Sequence, residues 1–308
     1  MTTQLPELHV VAAVLQRDNQ YFIQQRPPGK HMAGLWEFAG GKVEQGESAW
    51  AALVRELNEE LGIQATRGEP LIQLRHAYPD RIIDLDVWRV TEWVGEPVAQ
   101  EQQVTGWFSL HDILTMPLLP ADGPVLTAMS LPHSVLVTPT LVNHSQFFEQ
   151  LKESVTRHQY TLCLLRQQDM LEKDYRLLAT QACEVLDNFG CALILEGVSD
   201  ERVGLASELG IERIHVEASS LEHIGQYNHV KWSADCSSVK ELDLAVAAGV
   251  DFAILNLVNE SAERPEWAAF RDAISTRNIP VFALGGMDKD DEVRSRLEGA
   301  QGIALNRW

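Results

Sequence analysis

Three observations predict an α/β chain of two domains. An amphipathic helix sits between β-rich runs in the first 131 residues. Eight β-rich runs alternate with amphipathic segments from residue 135 onward. A short Leu131-Pro132-His133 stretch with a proline stop lies between them. Residues 1–131 are therefore expected to form an α/β/α sandwich around a mixed sheet. Residues 135–308 are expected to form a (β/α)₈ barrel whose chain ends just after its eighth strand, so that the last helix is missing. A length of 308 residues suits two domains of about 150 residues each.

In the first domain, residues 8–15 and 21–25 read as a hairpin around the polar turn 17–20. Residues 26–31 (RPPGKH) can continue neither a strand nor a helix and form a loop. A short strand follows over 36–41, ending in Gly40-Gly41, where two glycines permit close approach of backbone to a metal or phosphate. Loop 42–47 leads into a helix capped by Ser48 and stopped by Gly62. Strands are predicted at 71–77, 82–93 and 106–109, a helical start at 111–114, and a helix over 122–130. In the second domain the predicted strands are 135–138, 161–166, 192–196, 213–216, 229–233, 252–256, 281–284 and 302–305. Amphipathic segments such as 147–158, 175–188, 239–248 and 267–277 lie between them.

Composition narrows the function. A hydrophobic content of 45% with 22% charged residues describes a soluble globular protein with a sizeable core. A formal net charge of −19 excludes a broad footprint on duplex nucleic acid, which needs Lys and Arg, so any nucleotide is a small ligand arriving with its metal. No apolar run approaches the roughly 20 residues of a membrane span, and MTTQLPELH lacks a basic-then-apolar signal, so a cytoplasmic protein without membrane attachment is expected. Cys163, Cys183, Cys191 and Cys236 lack CxxC spacing and read as buried thiols. Oligomeric state leaves no mark in the sequence.

The chemistry concentrates in one helix. At 100° per residue Glu56, Glu59 and Glu60 share a face, beside the apolar face of Trp50, Leu53, Leu57 and Leu61. Like charges this close repel, and hard oxygen ligands at this density suit Mg²⁺ or Mn²⁺. The plain alternative is a solvated acidic helix face. The wider spacing weighs against that alternative: Gly41, five residues, Glu47, seven residues, then Arg55-Glu56-Leu57-x-Glu59-Glu60-x-Gly62-Ile63.

This pattern resembles the Nudix box with every defined position filled. Together with HMAGLWEFAGGK, PDRIIDLDVW, WVGEPVAQE and LPADGPVL, it makes residues 8–131 similar to the MutT-type oxidised-dGTP pyrophosphatases. The resemblance implies metal ligation by Glu56, Glu59, Glu60, Glu101 and the Gly40 carbonyl. It implies orientation of the glutamates by Arg55, and Glu101 as a candidate general base. It places substrate contacts at Arg26, His31, Glu37, Phe38, Ala39, Gly40 and Asp122. That branch carries Asn where this chain has Asp122, which removes a hydrogen-bond donor if the carboxyl is ionised. The other reading of Asp122 is a cap for the following helix.

The implied reaction is Mg²⁺-dependent hydrolysis of 8-oxo-dGTP to 8-oxo-dGMP and pyrophosphate, in service of nucleotide-pool sanitation and replication fidelity. A thiamin-related pyrophosphate hydrolase and a nucleotide-sensing regulator are the alternatives.

The second half is similar to the thiamin phosphate synthase/TenI family through LCLLRQQD, DERVGLASELGIERIHVEASSL, KWSADCSSVKELDLAVAAGVDFAIL and PVFALGGMDKDDEVRSRLEGAQGIAL. That likeness puts phosphate binding on Ser233, Gly285 and Gly286. Gln168 replaces the family's lysine, Ser220 replaces a metal-binding Asp, and residues 259–263 replace a lysine-bearing loop. A barrel catalytically degenerate for synthesis is expected. An isomerase, a ligand sensor or a structural partner remain open, and His215 is expected to be a satisfied strand-end histidine.

Overall fold

The computed structural model describes residues 5–101, 103–257 and 266–308, so the predicted loop 259–263 falls outside the described residues. The chain divides into two compact units, Met1–Ser130 with Ser275–Asn278, and Leu131–Ile274 with Ile279–Trp308.

In the first unit β1 (Glu7–Arg17) and β2 (Gln20–Gln25) form the expected hairpin, with Gln16 opposite Tyr21. β3 (Trp36–Glu37), β4 (Ala39–Lys42), helix α1 (Ala49–Leu61), β5 (Gln64–Tyr78), β6 (Arg81–Val94) and β7 (Thr105–Ser109) follow. A short helix α2 (Leu110–Ile113), a 3₁₀ turn Pro120–Asp122 and helix α3 (Gly123–Ser130) complete it. The seven strands form one mixed sheet, with β1 parallel to β6 and the other pairs antiparallel.

Strand alternation builds the sandwich. Val11, Ala13 and Leu15 of β1 face a core containing Leu53, Leu57 and Leu61 of α1, while Ala12 and Val14 face Val125, Ala128 and Met129 of α3. Burying each of those leucines stabilises the fold by roughly 1.5–3 kcal/mol. Strand β5 is longer than the predicted 71–77. Its pairing with β6 shifts register around Arg67, Gly68 and Pro70, so irregularities absorb the residues that read as strand breakers.

The second unit is a closed parallel barrel of eight strands: β8 (Ser134–Val137), β9 (Leu162–Leu165), β10 (Ala192–Glu196), β11 (Arg213–Glu217), β12 (Lys231–Cys236), β13 (Phe252–Asn256), β14 (Val281–Leu284) and β15 (Gly302–Leu305). It closes where β15 pairs with β8, Ala304 opposite Val135. Between successive strands run α4 (His144–His158), α5 (Glu172–Asp187), α6 (Asp200–Glu208), a 3₁₀ segment Ala218–Gln226, α7 (Val239–Ala248), α8 (Trp267–Ile274) and α9 (Asp291–Leu297). The crossover from β11 to β12 is thus a 3₁₀ segment. β12 also starts two residues later than the predicted 229, because Val230 N–H closes a turn onto the Tyr227 carbonyl. Leu136, Leu165, Ile214 and Ala234 point to the helices, while Val135, Leu164, Phe252 and Phe282 fill the interior.

Candidate active site

Helix α1 begins and ends where its sequence requires. Ser48 Oγ accepts a hydrogen bond from Ala51 N–H at 3.2 Å, and Gly62 adopts φ 68° to return its N–H to the last turn. These caps set the rotation of the helix, so Leu53, Leu57 and Leu61 are buried while Glu56, Glu59 and Glu60 face a cavity of about 690 Å³. The same cavity is lined by Arg26, His31, Glu37, Phe38, Gly40, Arg55, Glu101 and Asp122. Ala39 is wholly buried in the core behind it.

Gly40 and Gly41 are in β4, paired with Ala12 and Val11 of β1. A Cβ on Gly40 would meet the Val11 carbonyl oxygen at 2.0 Å, and one on Gly41 would meet the Glu56 carboxyl carbon at 2.2 Å. Both positions are glycine because strand and helix carboxylate occupy the volume of a side chain.

Arg55 supplies the fixed cation. Its guanidinium bonds Glu47 (Nε to Oε1 3.2 Å, Nη2 to Oε2 3.0 Å), Glu56 (2.8 Å), Glu59 (3.2 Å) and the Lys42 carbonyl (2.9 Å). Glu47 is held below the usual carboxylate range by that bond. Glu60 lies beyond its reach. Its Oε2 accepts from Gln24 Nε2 at 2.9 Å and from Gly40 N–H at 3.3 Å, yet burial pushes it up to about 7, with Glu37 and Glu56 adding repulsion.

Among the described residues no three His, Cys, Asp or Glu side chains converge as a metal cluster. The expected ligand set is therefore divided, with Glu56 and Glu59 gathered on Arg55 and Glu60 on Gln24. The donor chemistry fits a hard divalent cation all the same. Glu56, Glu59, Glu60 and Glu101 line one cavity, and burial holds Glu60 toward the neutral form where a second positive charge would relieve it.

The opposite wall is built from loops. Arg26 pairs with Glu37, and its Nε donates to the His31 carbonyl at 2.8 Å. Lys30 Nζ lies 2.9 Å from Glu101 and is strengthened as a base by that hydrogen bond. Tyr78 packs edge-on against His31 and His76. Asp122 is 4% exposed, accepts from Phe38 N–H, and is pushed far above the usual carboxylate range by burial and by Glu37. Its Oδ2 has no hydrogen-bond partner. The side chain thus turns into the cavity wall instead of capping α3.

Lys30, Tyr78, Gln24 and Glu47 were not singled out as site residues by sequence. Glu47 carried a signal as a fixed position of the box pattern, and Lys30 as the cation beside His31; Gln24 and Tyr78 carried none.

In the barrel the inward residues at the strand ends are charged. Arg166 pairs with Asp235 and approaches Glu196 at 3.4 Å, and His215 Nε2 lies 3.3 Å from Asp235. Burial would raise Asp235, but His215 and Arg166 outweigh it and hold it low. Ser233 is wholly buried, with its hydroxyl committed to His215 Nδ1 at 3.0 Å. His215 sits in the middle of β11, not at its end. Gly285 and Gly286 follow β14 with φ of 117° and 57°, left-handed backbone that favours glycine. Gln168 donates to Glu217 at 2.7 Å.

Comparison with known proteins follows the same division. The family described as NUDIX domain matches residues 10–128, and TMP-TENI, thiamine monophosphate synthase, matches residues 134–307. The CTP pyrophosphohydrolase of Escherichia coli K12 is 49% identical over 121 residues, covering 39% of this chain and 90% of that protein. The 8-oxo-dGTP diphosphatase of the same organism is 36% identical over 126 residues, covering 41% and 98%. The solution structure of the E. coli ORF135 protein aligns with a TM-score of 0.38 at 47% identity, covering 41% of this chain and 89% of that one.

Proposed function

The chain belongs to the Nudix hydrolases through its first domain and to the thiamine monophosphate synthase/TenI family through its second, and on that premise we propose that it is a Mg²⁺-dependent pyrophosphohydrolase of oxidised nucleoside triphosphates, converting 8-oxo-dGTP to 8-oxo-dGMP and pyrophosphate. One observation carries the reading: Glu56, Glu59, Glu60 and Glu101 line one cavity with the cations Arg26 and Lys30, and its wall holds the buried Asp122 carboxyl with one unpaired oxygen.

Glu56, Glu59, Glu60 and Glu101, with the Gly40 carbonyl, would hold the divalent ion. The ion supplies charge neutralisation on the phosphates and lowers the barrier to breaking a phosphoanhydride. The chain's own groups do the rest. Arg55 holds Glu56 and Glu59 aimed together, and Arg26 and Lys30 offer charge to the phosphate oxygens. Glu101 takes the proton of the attacking water as the P–O bond to the leaving pyrophosphate breaks.

Asp122 reads the base. A neutral carboxyl presents one acceptor and one O–H donor, the same pair an Asn offers. An 8-oxopurine matches it with N7–H and O6, whereas unmodified guanine sets two acceptors against it. The same Asp122 edge favours a second reading, a cytidine triphosphate, because cytosine N3 and N4–H also present acceptor beside donor; the CTP pyrophosphohydrolase relative points the same way. Pyrophosphate release from 8-oxo-dGTP, dGTP, CTP and thiamin pyrophosphate, measured side by side with Mg²⁺, separates these readings. Turnover of 8-oxo-dGTP no faster than dGTP would sink the first.

A further inference from the structure

Two buried amides join the two halves of the carboxylate set. Gln24 lies on β2 at 3% exposure and Gln103 lies beyond Glu101 at 7%. Glu101 N–H donates to Gln103 Oε1 at 3.1 Å, Gln103 Nε2 donates to Gln24 Oε1 at 3.4 Å, and Gln24 Nε2 donates to Glu60 Oε2 at 2.9 Å. Every link runs in one direction, from the backbone of Glu101 to the carboxylate of Glu60. The polarity is self-consistent. Were the Gln24 amide flipped, its oxygen would face the Glu60 carboxylate and its nitrogen would face another donor. Gln103 therefore fixes which end of Gln24 meets Glu60. The backbone repeats the tie, since Gln100 N–H donates to the Glu60 carbonyl at 2.9 Å and Val98 N–H to Leu61 at 3.0 Å.

We propose that Gln24 and Gln103 are positioning residues that couple the placement of the Glu101 segment to the orientation of Glu60. The inference rests on the reading of Glu60 and Glu101 as ion-holding groups given above. A strand that buries Phe22 and Ile23 on either face gains nothing from a buried amide unless the amide is paired, and here the pairing ends on the one α1 carboxylate that Arg55 does not reach. Without the relay, the backbone bonds still hold the 98–101 segment to the end of α1, but the Glu60 carboxylate is free to turn independently of Glu101. With it, a shift of the Glu101 backbone turns the Glu60 carboxylate as well.

The test uses the full chain and Mg²⁺-dependent pyrophosphate release, with Gln24→Met, Gln103→Met, the double variant and Gln103→Glu. Each single variant is expected to lower kcat and raise the Mg²⁺ half-saturation concentration by about 10-fold or more, with KM for the nucleotide little changed. Gln103→Glu keeps the acceptor for Glu101 N–H but loses the donor to Gln24, so it should reproduce Gln103→Met even if a Gln24 variant folds poorly. The double variant should be no worse than the worse single variant, because both break one chain. Unchanged Mg²⁺ half-saturation with only a lowered Tm, or effects that multiply in the double variant, overturns the relay. Should these results come with an inactive Glu60→Gln enzyme, the relay alone fails. A fully active Glu60→Gln enzyme sinks the reading of the site, and the relay with it.

Discussion

The first domain and the barrel both gather buried acidic side chains, and they answer them with different partners. In the barrel the charges at the strand ends meet one another: Arg166 bridges Glu196 on the next strand and Asp235 three strands on, His215 backs Asp235, and Gln168 occupies Glu217. In the first domain Arg55 satisfies one end of the carboxylate ladder, while burial leaves Glu60 near neutrality and Asp122 with an orphaned oxygen. In the barrel Arg166 and His215 answer the carboxylates from within the network, whereas Glu60 is held by the neutral Gln24 amide and the Gly40 N–H, an arrangement suited to a cation that arrives. Barrel families host ligands at these strand ends. Here Gln168 stands where the resemblance expects a lysine, and the neighbouring charges neutralise one another.

The largest expected effect tests that contrast directly. Glu56→Gln or Glu60→Gln should reduce pyrophosphate release by at least about 100-fold, since an ion-holding carboxylate supplies several kcal/mol to the transition state. Asp235→Asn in the barrel should leave the same rate untouched. On the barrel side, incubation with the aminopyrimidine pyrophosphate and thiazole phosphate precursors should yield no thiamin phosphate, and formation of that product would break the comparison. Next in size, Asp122→Leu, which removes the donor–acceptor pair, should lower the ratio of 8-oxo-dGTP to dGTP turnover by about 10-fold, the worth of one base-edge hydrogen-bond pair; an unchanged ratio would remove Asp122 from base selection.

A pH effect follows from Glu60. Its folded-state value, about 7, is above its unfolded value, so the folded chain binds the extra proton. The stability this confers is fully present below about pH 4.5 and is lost as pH rises through 7. Thermal melting of the metal-free chain should therefore show Tm falling from about pH 5 to pH 8, and Glu60→Gln should flatten that slope. The smallest effect belongs to the barrel. Tyr175 donates to the Leu165 carbonyl at 3.0 Å and accepts from Glu196 N–H at 2.8 Å. Tyr175→Phe should cost about 1–3 kcal/mol of stability by leaving both unpaired, without altering hydrolysis.

The carboxylate ladder was readable in advance because a helix converts residue spacing into angle, so Glu56, Glu59 and Glu60 had to share a face. The barrel was readable because its strands alternate inward and outward in register with short helical segments. Contacts that depend on distant strands left no trace. Gln24 looks like any polar strand residue until β2 is placed beside α1, and Gln103 like any loop residue until it meets Gln24. The extension of β5 was hidden for a related reason: Gly68 and Pro70 break a strand locally, and only the length of β6 beside them carries the pairing through. The metal arrangement was legible as chemistry but not as geometry, because which glutamate Arg55 takes depends on loop 42–47 folding back upon it.

Gly41 has a practical consequence. The Glu56 carboxylate fills the space a methyl group would need, while the strand around it is held by pairing with Val11. Gly41→Ala therefore displaces one carboxylate without touching the apolar core. Such a variant is a candidate substrate trap, a folded chain that keeps the base wall of Asp122 and Phe38 but has lost its reacting geometry, from which the nucleotide retained out of a cell extract could be eluted and identified.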